Sequence, residues 1–177
     1  MNFFKPNDLE PLISAERIHL RVTELAALID ADYSGRRPLL LGVLTGSFIF
    51  LADLCRHMRI ECEIDFIRVE SYGDNTTTCG SPDISMGTKL AVAGRPVILV
   101  DEIVDTGLTL EALLKKLEEM GALEVRVCAL IDKKAHRRVQ VKVDYAGFEL
   151  EDGFLVGYGL DAAELKRNLP DIRLLEE

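Results

Sequence analysis

Three carboxylates and two threonines fall within nine residues near the middle of the chain. Asp101 and Glu102 follow an apolar run at 97–100, Asp105 comes next, and residues 106–109 open a helical pattern. A helix N-terminus leaves backbone N–H groups unpaired and carries the positive end of the helix dipole, so this turn can bind an anion. The carboxylates would repel a bare phosphate, so the ligand must also bring hydroxyl groups or a divalent cation. A ribose phosphate with Mg²⁺ meets both requirements.

The same acidic residues also have a purely structural interpretation. Asp105 could be a turn residue at the entry of a helix, and Asp101 and Glu102 could form a solvated strand end, because carboxylates are common in such turns. Three acids beside one anion site favour the binding interpretation.

These residues need a scaffold, and the rest of the chain predicts one. Apolar runs of strand length alternate with helical periodicity, which is typical of an α/β fold with a mainly parallel central sheet flanked by helices. Ser14 is the predicted N-cap of a first helix, which is expected to end at Ser34 and Gly35. Further helices are predicted at 48–58 and 108–120. Strands are predicted at 39–44, 63–69, 97–100 and 125–131, and shorter, partly antiparallel strands at 141–150 and 154–156 around a turn at 151–153.

Residues 71–88 form a different kind of segment. They are rich in hydroxyl groups and glycine and have almost no apolar periodicity. Loops of this length in a compact domain are usually disordered or cover a site. We interpret the segment as a lid in which Tyr72 covers a reactive centre and excludes water. The alternative is a flexible hairpin that shields nothing.

Length, charge and cysteine spacing limit the function classes. The 177 residues are expected to form one domain over 1–177. A net charge of −9 with a pI near 4.9 argues against nucleic acid and against an anionic membrane as partners. The spacing of the four cysteines fits neither a zinc site nor a redox Cys-x-x-Cys motif. Because no secretory or membrane-spanning pattern is present, we expect a cytoplasmic protein.

Two common nucleotide-binding motifs are absent or incomplete. The stretch from Gly42 to Ser47 lacks the spacing and the lysine of a phosphate-binding loop, which argues against an ATPase. The run Gly157-Tyr-Gly159-Leu-Asp-Ala162 matches a dinucleotide fingerprint, but the fifteen residues that follow leave no room for the crossover helix and second strand that the fingerprint requires. We interpret this match as chance.

Four segments together resemble one enzyme family. The run Val100-Asp-Glu-Ile-Val-Asp-Thr-Gly-Leu-Thr109 closely resembles the phosphoribosyl-pyrophosphate signature of the type I phosphoribosyltransferases. Leu44-Thr-Gly-Ser47, Ser71-Tyr-Gly73 and the stretch 133–161 are similar, in order and spacing, to hypoxanthine-guanine phosphoribosyltransferases. The resemblance implies the type I fold, with a small hood formed by the N-terminal segment and the C-terminal region and a flexible lid loop. It also implies assembly as a homodimer or homotetramer.

In that family, phosphoribosyl pyrophosphate and a 6-oxopurine give a nucleoside monophosphate and pyrophosphate, so the resemblance implies salvage of hypoxanthine or guanine to IMP or GMP. Such a displacement at a cation-like sugar depends on positioning, charge stabilisation and proton management. The resemblance assigns the ribose hydroxyls to Asp101 and Glu102, directly or through Mg²⁺, and purine N7 to Asp105 as the catalytic carboxylate. The 5′-phosphate would be bound by Asp105, Thr106, Gly107, Leu108 and Thr109.

The same resemblance assigns the pyrophosphate site, with a non-proline cis peptide expected between Leu44 and Thr45. Its residues would be Leu44, Thr45, Gly46, Ser71, Tyr72 and Arg167. Asp161 would join Asp101 and Glu102 as a Mg²⁺ ligand. The structural alternatives are a plain strand-to-helix turn at 44–47 and ordinary surface charges at Asp161 and Arg167.

The base site is assigned to Lys133, Phe154 and Leu155. Lys133 would meet the purine 6-oxygen and so disfavour adenine, because an ammonium group cannot accept a hydrogen bond from an amine. Phe154 would stack on the base, and the backbone of Leu155 would read its edge. The structural alternatives are a solvated basic run at 133–138 and a core position for Phe154.

Two departures from the family pattern leave alternatives open. The acidic pair reads Asp-Glu where many members have Glu-Asp, and Thr45 stands where several members carry lysine, which removes a possible charge contact to pyrophosphate.

Three function classes remain: the salvage enzyme, a transferase that prefers xanthine, and a non-catalytic regulator of the same fold that senses phosphoribosyl pyrophosphate. The acidity of the chain argues against a regulator that binds RNA.

Overall fold

The computed structural model describes residues 10–70, 83–85 and 91–175. The helices are α1 Ala15–Asp32, α2 Phe48–His57 and α3 Leu108–Glu119. The strands are β1 Leu39–Leu44, β2 Glu63–Glu70, β3 Asp83–Ser85, β4 Pro96–Val104, β5 Glu124–Lys133, β6 Tyr145–Leu150, β7 Phe154–Val156 and β8 Arg173–Leu175. Apart from β3, the predicted lid at 71–88 lies outside the described residues, and so do Ser71 and Tyr72.

A six-stranded sheet in the order β3-β2-β1-β4-β5-β6 forms the centre of the described molecule. Strands β2, β1, β4, β5 and β6 are all parallel, and β3 joins the edge in antiparallel orientation. The predicted α/β fold with a mainly parallel sheet is therefore confirmed. In this arrangement the carboxyl ends of β1, β4 and β5 meet at one edge, which is where ligands bind in open parallel sheets.

Both faces of the sheet are covered because the strands alternate between two apolar clusters. Along β4, Ile98 and Val100 pack in the cluster that contains α1 and α2, whereas Val97 and Leu99 pack in the cluster that contains α3. Ser14 caps α1 as predicted, since its side chain accepts a hydrogen bond from the backbone of Arg17. None of the helices in the described part of the chain combines the length and apolar character needed to cross a bilayer.

The strand β4 is longer than predicted and carries the acidic pair within it. The sequence pattern placed the strand at 97–100, but the ladder with β5 continues through Asp101, Ile103 and Val104. Pairing with a central neighbour satisfies the backbone groups of the acidic residues, which local hydrophobicity does not reveal. Asp101 and Glu102 are therefore held by a rigid strand rather than by a loop.

The two strands on either side of the turn predicted at 151–153 do not pair with each other. Strand β6 pairs parallel with β5, and β7 pairs antiparallel with β8 in a separate two-stranded sheet. Because β6 already pairs with β5, the chain after the turn enters a separate sheet. Its partner there, the three-residue β8, was too short to be predicted from the sequence. An antiparallel bridge joins Ile13, near the N-terminus, to Ile172, which directly precedes β8.

Candidate active site

The phosphate-binding turn follows β4 directly. Gly107 is the N-cap of α3 and has a φ of 82°, a left-handed conformation that glycine adopts without strain. A β-carbon at this position would lie 2.8 Å from the carbonyl oxygen of Val139, so the close approach also requires glycine. The turn lines a cavity of about 310 Å³, which is also lined by Leu44, Asp101 and Asp105. We call this cavity the sugar-phosphate cavity. The predicted anion site is thus open to a ligand.

The acidic pair lies at the base of this cavity. Asp101 is buried, and the backbone N–H of Glu102 donates to its Oδ1 at 3.0 Å. Burial, together with the neighbouring charge of Glu102, raises the pKa of Asp101 well above its ordinary value. Burial also raises the pKa of Glu102, whose Oε2 has no hydrogen-bond partner among the described residues. These two carboxylates are therefore not a solvated strand end.

The loop after β1 lies against the same acidic pair. The peptide bond between Leu44 and Thr45 is cis, as the resemblance implies. A β-carbon on Gly46 would lie 1.8 Å from Oε1 of Glu102, so only glycine allows the carboxylate to lie on this loop. Ser47 is buried, and its hydroxyl donates to the carbonyl of Val43 at 2.6 Å. The predicted pyrophosphate loop and the predicted ribose ligands are thus direct neighbours.

The other side of the site is a second cavity of about 220 Å³, which we call the base cavity. Lys133, at the end of β5, has a side chain that is only 7% exposed. Its ammonium group donates to Oδ2 of Asp105 at 3.3 Å and to the carbonyl of Gly153 at 3.0 Å. Phe154 is 52% exposed at the cavity, whereas the side chain of Leu155 is buried. Neither the solvated basic run nor the core position for Phe154 describes these residues.

Asp105 lies between the two cavities and lines both of them. While Oδ2 receives the hydrogen bond from Lys133, Oδ1 has no hydrogen-bond partner in the described part of the chain. Nδ1 of His136 lies 3.8 Å from Oδ1, beyond hydrogen-bond distance. One acceptor atom of this carboxylate is therefore buried without a hydrogen bond where the two cavities adjoin.

Asp161 and Arg167 are paired with each other. The guanidinium of Arg167 lies 2.9 Å from Oδ1 of Asp161 and donates to the carbonyl of Gly159 at 2.8 Å. The other Asp161 oxygen accepts from the backbone N–H of Glu164 at 2.8 Å. Asp161 also lines the base cavity, and the positive charge of Arg167 offsets part of the rise that burial causes in the pKa of Glu102. Both residues therefore lie at the site, although Asp161 already has partners for its two oxygens.

Sequence reasoning missed two residues that support the site. Gly159 lies on the pyrophosphate loop, and a β-carbon there would be 2.1 Å from the carbonyl oxygen of Gly46. In the described part of the chain no helix follows the run 157–162, and Gly159 itself is needed for this close contact. The second residue is Arg137, which donates to the carbonyl of Asp105 at 2.9 Å. The only feature of the sequence that pointed to Arg137 was its position in the basic run, four residues after Lys133.

Comparison with known proteins agrees with this geometry. Residues 12–163 match the model of the phosphoribosyl transferase domain. The chain belongs to the phosphoribosyltransferase family. It is 40% identical over 171 residues to the hypoxanthine-guanine phosphoribosyltransferase of Bacillus subtilis strain 168, covering 96% of this chain and 95% of the relative. It is 39% identical over 178 residues to the enzyme of that name from Aquifex aeolicus, covering both chains completely.

The fold of the chain is also similar to that of a solved structure. A crystal structure of a hypoxanthine phosphoribosyltransferase from Staphylococcus aureus superposes with a TM-score of 0.92 at 34% identity, covering 99% of this chain and 96% of that chain. The structural similarity therefore extends over nearly the whole of both chains.

Proposed function

We infer that this phosphoribosyltransferase is a purine-salvage enzyme that transfers the 5-phosphoribosyl group from phosphoribosyl pyrophosphate to hypoxanthine or guanine. The products are IMP or GMP and pyrophosphate. The observation that carries the proposal is the position of Asp105, which lines the sugar-phosphate cavity and the base cavity at once. A nucleoside monophosphate has its glycosidic bond between a sugar phosphate and a base, so the bond would form beside this carboxylate.

The acidic pair fits a ribose with Mg²⁺. Oε2 of Glu102 is buried without a partner in the described part of the chain, and the two adjacent carboxylates have raised pKa values because of burial. No set of three or more potential ligand side chains is present among residues 10–70, 83–85 and 91–175. Mg²⁺ commonly takes one or two carboxylates and completes its shell with substrate oxygens and water. Asp101 and Glu102, with Asp161 nearby, would therefore hold the ion together with the ribose and pyrophosphate, where it neutralises their charge.

Asp105 would manage the proton of the base. In the reaction, N9 of the purine forms a bond to the anomeric carbon while the bond from that carbon to pyrophosphate breaks, and pyrophosphate leaves with the electron pair. The positive charge that develops on the purine is relieved when a proton passes from N7 to the carboxylate of Asp105. The unpartnered Oδ1 of Asp105 supports this role. The backbone N–H groups of residues 106–109 would hold the 5′-phosphate at the N-terminus of α3.

Lys133, Phe154 and Leu155 would recognise the base. The buried ammonium group of Lys133 already donates to two oxygen acceptors, so a purine 6-oxygen could replace one of them at little cost. An amino group at that position would place donor against donor, so adenine should be a poor substrate. The exposed ring of Phe154 offers a stacking surface beside the cavity.

The remaining assignments extend the proposal to pyrophosphate and to assembly. Leu44, Thr45 and Gly46 would bind pyrophosphate with Arg167, whose guanidinium fork suits two phosphate oxygens. Ser71 and Tyr72, outside the described residues, are proposed to complete this site from the lid. A homodimer or homotetramer is also proposed, and sedimentation of the purified protein would measure it.

One assay tests the proposal directly. The purified chain is incubated with Mg²⁺ and phosphoribosyl pyrophosphate, and hypoxanthine, guanine, xanthine, adenine and uracil are offered separately. We expect nucleotide from hypoxanthine and guanine and little from adenine or uracil. A dominant product from xanthine would shift the assignment to a xanthine-preferring transferase. No product from any base would contradict an enzymatic function.

A further inference from the structure

We propose that Arg137 is a positioning residue that holds the backbones carrying Asp105 and Lys133 at the separation needed to bind both substrates together. The inference rests on the proposed function, since Asp105 and Lys133 are the groups that would meet the base. Arg137 does not line the base cavity or the sugar-phosphate cavity, so it would act through the backbone segments that it contacts.

The guanidinium of Arg137 joins the ends of two neighbouring strands. Its Nε donates to the carbonyl of Asp105 at 2.9 Å, and its Nη2 donates to the carbonyl of Lys133 at 2.7 Å. Nη2 also reaches the carbonyl of Val104 at 3.2 Å. One planar group thus fixes the peptide units from which both functional side chains project.

The phosphate-binding turn is held by the same segment. The backbone N–H groups of Arg138 and Val139 both donate to the carbonyl of Thr106, at 2.9 Å and 3.2 Å. The alkyl chain of Arg137 packs closely on the turn, since a β-carbon on Gly107 would lie 3.2 Å from its Cδ. Arg137 is therefore placed to affect the 5′-phosphate as well as the base.

Burial and charge pairing make this connection specific to arginine. The side chains of Arg137 and Asp132 are each 10% exposed and form a salt bridge. A lysine would keep that charge pair, but a single ammonium group lacks the rigid fork that serves carbonyls on two strands. Arg137→Lys should therefore loosen the two strand ends without leaving an unpaired buried charge.

The test compares Arg137→Lys with a matched arginine outside the site. Arg21, on α1, donates from Nε and Nη2 to the carbonyls of Gly147 and Ala146 at 2.8 Å and 2.7 Å, so Arg21→Lys removes a similar fork from the opposite part of the fold. Steady-state kinetics with hypoxanthine and with phosphoribosyl pyrophosphate are measured below the thermal transition of each variant. We expect Arg137→Lys to raise both KM values by roughly 3- to 30-fold, whereas Arg21→Lys lowers Tm and changes neither KM beyond about twofold.

A second measurement asks whether Arg137 acts through Lys133. If it does, the KM for hypoxanthine in the double variant Arg137→Lys with Lys133→Ala will rise by less than the product of the two single effects. If Arg137→Lys does not fold, Arg137→Gln with Asp132→Asn removes both charges of the pair and replaces it in the same assay.

The outcomes separate this inference from the proposed function. Suppose that the wild-type enzyme is active and that Arg137→Lys has unchanged KM values and loses activity only because less of it is folded. That result would overturn the positioning role alone. Independent, multiplicative effects in the double variant also overturn it. A wild-type protein that forms no nucleotide removes the proposed function and this inference with it.

Discussion

The sugar-phosphate cavity and the base cavity meet at Asp105 but treat charge in opposite ways. On the sugar side, the buried Asp101 lies next to the partly buried Glu102, and burial raises the pKa of both. On the base side, the equally buried ammonium group of Lys133 lies within 3.3 Å of Asp105 and 3.0 Å of the Gly153 carbonyl. The sugar-phosphate cavity therefore places two acidic groups next to each other, whereas in the base cavity the positive charge of Lys133 already has the carboxylate of Asp105 as its partner.

This difference indicates how each side would bind its ligand. The buried acidic pair costs stability until a cation or hydroxyl groups arrive, so binding there would relieve an unfavourable arrangement. In the base cavity, a ligand would exchange one set of hydrogen bonds for another, which favours selectivity more than affinity. The four predictions below separate these two behaviours.

The largest effect is expected at the carboxylate shared by both cavities. Asp105→Ala should lower kcat by roughly 10- to 1,000-fold because it removes the proposed proton acceptor. Initial rates at saturating substrates measure this. Asp30→Ala is the control, since that carboxylate accepts from the backbone of Arg59 at 2.9 Å and contributes to stability only. Undiminished turnover in Asp105→Ala would remove Asp105 from the mechanism.

The next effect should be confined to the base side. Lys133→Ala should raise the KM for hypoxanthine by roughly 10- to 100-fold, the range of a charge-assisted hydrogen bond, and should change the KM for phosphoribosyl pyrophosphate much less. The adjacent Lys134→Ala is the control, because Lys134 is exposed and pairs with Glu149. Equal losses for both substrates in Lys133→Ala would mean that the two sides are not separable in this way.

A smaller effect is expected from the aromatic ring at the base cavity. Phe154→Leu keeps an apolar side chain but loses the stacking surface, so the KM for guanine should rise roughly 3- to 10-fold. Phe148→Leu provides a matched change on β6, where the ring packs against the core. That variant should melt at a lower temperature with an unchanged KM. An unaltered KM in Phe154→Leu would argue against stacking.

The smallest effect concerns stability on the sugar side. The raised pKa of Asp101 means that the folded protein holds this proton more tightly than the unfolded chain, so its contribution to stability is lost as pH rises through the folded pKa. Asp101→Asn should therefore raise the Tm of the ligand-free protein at pH 7 by about 2–4 °C for each kcal/mol recovered, with a smaller gain near pH 4. Thermal melts at the two pH values measure this.

A paired carboxylate gives the opposite expectation and serves as the control. Asp171 is buried but accepts two hydrogen bonds from Arg173, at 2.6 Å and 2.9 Å. Asp171→Asn should lower Tm at pH 7 because it weakens that pair. If Asp101→Asn also lowered Tm, the acidic pair would be stabilising, and the contrast between the two cavities would be wrong.

Much of the fold was predictable because its elements follow local patterns. The N-cap of α1, the buried strands and the mainly parallel character of the sheet follow from hydrophobic periodicity and turn residues. The partners of β6 and β7 could not be predicted, since either strand could pair with any free edge of suitable length. Pairing of β6 with β5 was decided by the sheet as a whole.

In the site, too, the residues of the acidic turn could be predicted from local sequence, whereas those of the base cavity could not. The turn from Asp101 to Thr109 is contiguous, and rules for a strand end and a helix start are enough to specify an anion site beside carboxylates. Lys133 and Phe154 were identified through family resemblance, because composition alone favours a solvated face and a core position. Their proximity to Asp105 depends on the pairing of β5 with β4 and on the separate sheet that contains β7.

Arg137 shows most clearly where local information ends. Among the basic residues at 133–138, neither composition nor periodicity distinguishes the two that turn inward, Lys133 and Arg137, from their exposed neighbours. Burial selects them because Asp105 and Asp132 lie at adjacent strand ends and provide the partners that a buried cation requires. The acidic turn was readable from nine contiguous residues, whereas the charges that complete it come from other strands and are matched only once the sheet has formed.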